Sequence, residues 1–176
     1  MPLELGVPAP PFRLQGIDNA FWVLGEPDRR RSVLLVFFHR ESSTSRLMLP
    51  FVERLHRRGR NREAEIFGIC LDNHRDALEL AEDYTITFPV LIEDVERTTF
   101  QSYAIEEVPT IYRLDATLRI ADLTVGWSRD EFEHLGEGYL ADVDARIRTV
   151  WEENDLAPDA RAGQILTSLT PRAGSA

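Results

Sequence analysis

The chain contains no lysine: all 20 residues in its Lys+Arg count are arginine. Arginine does not give up its proton inside a protein. Schiff-base catalysis, attachment of pyridoxal phosphate, a Walker-type phosphate loop and kinase chemistry are therefore excluded together. A GC-rich genome accounts for the bias without a functional reason. Cysteine is nearly as scarce. The single Cys70 excludes an intrachain disulfide and any cysteine-cluster metal site. The four histidines, His39, His56, His74 and His134, share no ligand spacing, so neither a metal nor a cofactor is expected. No apolar run approaches the roughly 20 residues that span a bilayer. The opening Met1-Pro2-Leu3-Glu4-Leu5-Gly6 has no basic segment ahead of an apolar stretch, which predicts a cytoplasmic chain without a signal peptide. Positive charge is also in deficit. A formal net charge of −10 repels the phosphates of nucleic acids and anionic membranes, so neither is expected as a partner.

What is present suffices for one core. With 176 residues and 43% hydrophobic content, a single domain over residues 1–153 is expected. From 154 to 176 the composition shifts to Ala, Pro, Asp, Gly and Ser, which reads as a flexible tail. Within it, Ile165, Leu166 and Leu169 have the spacing to dock one turn onto the body, but the composition favours mobility. Arg54, His56, Arg57, Arg58, Arg60 and Arg62 form the only basic cluster. It reads as a solvated helix end complementing the C-terminal dipole, with an anion or acidic-partner site as the less economical alternative.

The order of elements sets the architecture. Proline-rich Gly6–Phe12 is an extended lead-in. Phe12–Leu14 and Ala20–Leu24 flank a turn-prone Gly16-Ile17-Asp18-Asn19 and predict an N-terminal β-hairpin. Ser32 to Phe38 is continuously apolar, the pattern of a central strand covered on both faces. Leu47, Leu49, Phe51, Val52 and Leu55 place a helix over 43–58 that Pro50 bends and Gly59 closes. Ala64 to Leu71 is a second buried strand, and Asp72-Asn73 caps a helix over His74 to Tyr84. A short extended segment at Phe88–Ile92, a helix from Val95 to Tyr103, and a strand pair at Thr110–Leu114 and Leu118–Val125 follow. Ser128-Arg129-Asp130-Glu131 is a capping box for a helix running to about Val150, weakened by Gly136 and Gly138. This order predicts an α/β protein with a mixed central β-sheet flanked by helices.

Four segments, in order, resemble the thioredoxin-like proteins of the TlpA and AhpC/TSA (redoxin) type. They are Gly6-Val7-Pro8-Ala9-Pro10-Pro11-Phe12-Arg13-Leu14, Val33 to Leu55, Ile66-Phe67-Gly68-Ile69-Cys70-Leu71-Asp72 and Val108-Pro109-Thr110-Ile111-Tyr112. The resemblance covers roughly residues 4–150 and implies a thioredoxin-like fold. It places Ser42 at the nucleophilic cysteine position of the family's Cys-x-x-Cys pair, Ser45 at the resolving position, and Pro109 at the proline that is cis in the family. Both redox cysteines are thus serines here.

That substitution decides the chemistry. At a helix N-terminus, backbone N–H groups and the macrodipole stabilise a thiolate, whereas a hydroxyl is far too weak an acid to ionise there at neutral pH. Thiol–disulfide exchange needs sulfur at both the attacking and leaving positions. A serine hydrolase built on Ser42 and His39 lacks the G-x-S-x-G elbow, so Ser42 reads first as a helix N-cap. Cys70, on an apolar strand, reads as a small buried hydrophobe. The backbone around Val108 and Pro109 keeps the groups with which the family pairs extended substrates like an added strand. A groove bordered by Ser42, Ser45, Val108 and Pro109, its polarity set by His39, Arg40 and Glu41, is therefore the expected binding site. The expected function is a redox-inactive interaction module for a protein or peptide, with a merely vestigial site or a homodimer surface built there as equal alternatives. The alternative is a thiol–disulfide oxidoreductase or peroxiredoxin-like enzyme, working through Cys70 or an external thiol such as glutathione. It also applies if Ser42 and Ser45 replace native cysteines.

Overall fold

Strand β3 (Ser32–Phe38) is apolar from Val33 onward because both of its faces are covered. Side chains alternate across a strand, so Leu34, Val36 and Phe38 enter one hydrophobic cluster while Val33, Leu35 and Phe37 enter the other. All six are fully buried, and each such side chain contributes on the order of 1.5–3 kcal/mol. The computed structural model describes residues 1–25, 30, 32–60, 63–144, 146 and 149–169.

The hairpin of β1 (Phe12–Gly16) and β2 (Phe21–Leu24) opens the chain. After β3 come helix α1 (Ser43–Gly59), β4 (Ala64–Cys70), α2 (His74–Asp83), β5 (Val90–Ile92) and a short α3 (Thr98–Ser102). Then follow β6 (Glu107–Val108), β7 (Thr110–Leu114), β8 (Ile120–Val125), β9 (Trp127–Ser128) and α4 (Arg129–Val143). Seven strands form a sheet in the order β2-β1-β5-β4-β3-β7-β8. β3, β4 and β5 are mutually parallel neighbours, and β7, β8, β1 and β2 are antiparallel additions at the two edges. The sheet is mixed, flanked by helices, and extended by the N-terminal hairpin. Among the described residues, no helix is long and apolar enough to cross a membrane.

Two helices differ from the sequence expectation. The helix anticipated from Val95 begins at Thr98, because Arg97 sits in the left-handed region at φ 59°. The Asp94 carboxylate accepts from Thr98 N at 3.1 Å and Glu93 from Phe100 N at 2.6 Å, and these bonds start the helix. Helix α4 stops at Val143 rather than near Val150, with Asp144 extended. The chain must turn there, because Val150 is fully buried in the core and Trp151 packs against it. At Gly136 a Cβ would lie 2.9 Å from Val150, so the returning chain passes against α4 where that helix carries no side chain.

Of the basic cluster, Arg54 makes a two-pronged contact to Asp155, at 2.5 and 2.8 Å. Arg57 pairs with Glu53 at 3.1 Å. Arg58 donates to the carbonyl of Thr149 and pairs with Glu152 at 3.5 Å. Much of the cluster holds the chain after α4 against α1; Arg62 lies outside the described residues.

The C-terminal segment carries two further strands, β10 (Ala160–Arg161) and β11 (Gln164–Ile165), and a 3-10 turn at Leu166–Ser168. β10 pairs antiparallel with β9, and β11 pairs antiparallel with β6. Residues that composition reads as tail therefore run along the body at the end of the sheet where the candidate site lies.

Candidate functional site

Ser42 is the N-cap of α1, with extended backbone (φ −76°, ψ 111°) and a side-chain oxygen that accepts from Ser45 N at 3.0 Å. Such a cap satisfies one of the free N–H groups of the first helical turn. The loop between β3 and α1 is tight, with Ser42 N donating to His39 O at 3.1 Å. Ser45 lies one turn inside, fully buried, and its hydroxyl accepts from His39 N at 3.4 Å. Facing this start, Phe37 on β3 pairs with Thr110 on β7. That register carries Pro109 and Val108 to the end of β3. The Val108–Pro109 peptide bond is cis, and the Ser42 hydroxyl lies 3.4 Å from the Val108 carbonyl. The fold thus brings together Ser42, Ser45, Val108 and Pro109.

The groove they border is filled by residues 162–165 of the same chain. Gln164 on β11 sits opposite Val108, and Ile165 opposite Glu107. The Ser42 hydroxyl donates to the side-chain oxygen of Gln164. Thr44 donates to the Ala162 carbonyl at 2.7 Å and accepts from the Gln164 amide nitrogen at 3.4 Å. Leu166 N donates to Glu106 O at 3.0 Å. Upstream, Trp127 Nε1 donates to Pro158 O at 2.7 Å, and Arg129 N to Asp159 O at 2.8 Å. Sequence reasoning missed Thr44, Ala162, Gly163 and Gln164. A Gly-Gln pair in an Ala/Pro/Asp-rich stretch has no periodicity to reveal it, and the only signal was the spacing of Ile165, Leu166 and Leu169.

His39, Arg40 and Glu41 are placed differently from the serines. With Asp72 they line a polar cleft, closed on one side by Leu166 and Leu169. His39 Nδ1 accepts from Glu41 N at 3.1 Å, so its proton sits on Nε2, 3.7 Å from Asp72 Oδ1. The His39 ring thus contacts Glu41 N and Asp72, whereas the Ser42 hydroxyl engages Val108 and Gln164; the two side chains do not form a nucleophile–base pair. Arg40 N donates to Asp72 at 2.9 Å, and the guanidinium reaches Asp76 and Glu79 on α2, both at 3.0 Å. Those bonds, Glu79 first, raise the Arg40 pKa. Burial pushes the Asp72 carboxyl up, against the opposing pull of His39 and the Arg40 amide.

Cys70 closes β4 between Phe38 and Ile92 and is fully buried. Burial pushes its thiol well above the ordinary value. A protonated, inaccessible thiol is neither a nucleophile nor a peroxide target.

The described family of the model that matches residues 5–122 is AhpC/TSA. Comparison with curated proteins gives no match. Among solved structures, the chain is similar to a protein described as thiol:disulfide interchange protein DsbE from Chlorobium tepidum, at 22% identity and TM-score 0.71, over 80% of this chain and 99% of that one. It is similar to peroxidoxin BcpB from Mycobacterium tuberculosis at 17% identity and TM-score 0.64, over 81% and 97%. A hypothetical protein from Sinorhizobium meliloti matches at 15% identity and TM-score 0.68, over 93% and 92%. These likenesses are of fold: a thioredoxin-like α/β sandwich.

Proposed function

This chain belongs to the AhpC/TSA family, and from that premise we propose that it performs no thiol redox chemistry and acts instead as a binding module through the former redox face. The observation that carries the proposal is the hydrogen bonding of Ser42. Its oxygen caps α1 through Ser45 N, and its single proton goes to the Gln164 side-chain oxygen, with the Val108 carbonyl at 3.4 Å as the alternative acceptor. A hydroxyl in that setting serves as a hydrogen-bonding group and not as a nucleophile, since among the described residues no base in hydrogen-bond contact is there to take its proton. The buried Cys70 offers no substitute. Beside Ser42, the backbone of β6 already pairs with an extended segment, β11 of the same chain, and strand addition of this kind needs no sulfur. The partner class this supports is a protein or peptide segment in extended conformation.

Two measurements test the proposal. Insulin-disulfide reduction and hydroperoxide consumption, with and without glutathione, are expected to stay at the buffer rate for the wild type, Ser42→Ala and Cys70→Ala. A rate present in the wild type and lost in either variant sinks it. Amide shifts at Glu107 and Val108 on adding a panel of extended peptides are expected for at least one heterologous sequence. No shift with any member removes the binding half of the proposal.

A further inference from the structure

The groove at the former redox face is already occupied, and the occupant shows what the groove selects. Residues 157–169 run across it with hydrogen bonds at both ends and in the middle: Pro158 O to Trp127, Asp159 O to Arg129, Ala162 O to Thr44, and Leu166 N to Glu106 O. Three steric and polar features are specific. First, the approach at Gly163 is close: a Cβ there would stand 3.0 Å from Val108 O and 3.0 Å from a Glu107 carboxylate oxygen. On the body side Gly126, at φ 72°, offers the matching clearance, since a Cβ on it would meet Gly163 N at 2.9 Å. Second, the carboxamide of Gln164 is read at both its atoms, the oxygen by the Ser42 hydroxyl and the nitrogen by Thr44 Oγ1. Third, Leu166 and Leu169 pack as partly buried residues against the cluster that contains Val108 and Tyr112.

We infer that the former redox face is a receptor for an extended segment of the form small–Gly–Gln–x–aliphatic, and that residues 157–169 are its resident ligand, a strap that a partner must displace. The inference rests on the binding-module reading and specifies its ligand and regulation. Serine at position 42 has a physical role in this: a hydroxyl is a strong donor to a carboxamide oxygen, whereas a thiol is a weak one. The strap competes in cis. A ligand for a site that is free only a fraction of the time binds with its affinity reduced by that fraction. Ala162, Gly163, Gln164 and Leu166 then define both the self-contact and the sequence a competitor has to match or exceed.

The test uses the full chain and a fluorescent synthetic peptide of residues 157–169. Gly163→Val puts a branched side chain where 3.0 Å is open, and so releases the strap without touching the receptor. Amide exchange at Leu166, whose N–H is bonded to Glu106 O, is expected to accelerate at least tenfold, while exchange in β3 and β4 stays unchanged. The peptide is expected to bind Gly163→Val at least tenfold more tightly than it binds the wild type. A peptide carrying Gln164→Ala should lose about tenfold on the same released chain. Equal peptide affinity for wild type and Gly163→Val, with Leu166 exchange accelerated, overturns the receptor; unchanged Leu166 exchange overturns the strap's dependence on Gly163. Full-chain Gln164→Ala is the second variant. It is expected to release the strap in the same assay should Gly163→Val not fold, and unchanged exchange in it also counts against the inference. A wild-type dimer in light scattering whose tails pair between copies overturns occupancy in cis. Binding of the resident peptide to the released chain, with no shift from any heterologous peptide, leaves the strap standing and removes the partner reading. The two failures are thereby told apart.

Discussion

Replacing Ser42 with alanine removes two contacts at once, and a double-mutant cycle with Gln164 separates them. The N-cap bond to Ser45 N, at 3.0 Å, is worth about 1 kcal/mol, within the 0.5–2 kcal/mol typical of Ser-to-Ala at this position. Loss of the donor to Gln164 adds about 1 kcal/mol, so Ser42→Ala should cost roughly 2 kcal/mol. Gln164→Ala should cost about 1 kcal/mol, because its second contact, to Thr44, is long at 3.4 Å and the freed Ser42 proton can turn to Val108 O, also at 3.4 Å. In the double variant the shared bond is lost only once, so the total stays near 2 kcal/mol and the coupling is about 1 kcal/mol, above the few tenths expected of independent sites. For a chain of this length 1 kcal/mol moves Tm by about 2–4 °C. Calorimetry should therefore give drops of roughly 4–8 °C for Ser42→Ala, 2–4 °C for Gln164→Ala, and no more than Ser42→Ala alone for the pair. A double variant whose drop equals the sum of the singles refutes the hydrogen bond between these side chains.

Three further outcomes are expected. Gly68→Ala on β4 puts a Cβ 2.8 Å from the Phe88 ring and 2.9 Å from the Phe38 ring, an overpacking expected to cost about 1–3 kcal/mol; a denaturant midpoint unchanged within error would refute the tight packing. Asp72 has a folded pKa raised by burial, so the native state holds its proton more firmly than the unfolded chain, whose Asp titrates near 3.9. Stability from this group is then present below about pH 4 and is lost as pH rises through the folded pKa. Asp72→Asn keeps an acceptor for Arg40 N, and its Tm relative to wild type should rise from pH 3 to pH 7; a fall over that range counts against the assignment. Cys70 should be inert to a thiol reagent in the native state and react at the rate of global unfolding, because it is fully buried with a raised pKa. Rapid native-state labelling would show access that the packing denies.

The parts legible in advance were those with local causes. The apolar run of β3 has the pattern of a strand covered on both faces, and the hydroxyl residues after it suit the start of a helix. The Ser42 cap follows from residue type, and the four ordered segments placed Ser42, Ser45, Val108 and Pro109 in one site. The roles of His39, Arg40 and Glu41 were not legible, because adjacency in sequence does not say which way a side chain turns: Arg40 is drawn to Asp76 and Glu79 across the fold, and His39 to Asp72.

The sequence by itself determined a mixed α/β sheet and hydroxyls at positions 42 and 45, because strand burial and side-chain chemistry are properties of residues read one after another. Only the tertiary structure decided that residues 162–165 lie in the groove beside Val108. Gln164 and Val108 are far apart in the chain, and their pairing depends on a backbone edge and a steric clearance at Gly163. Neither exists until the sheet, α1 and the returning C-terminal segment are folded together.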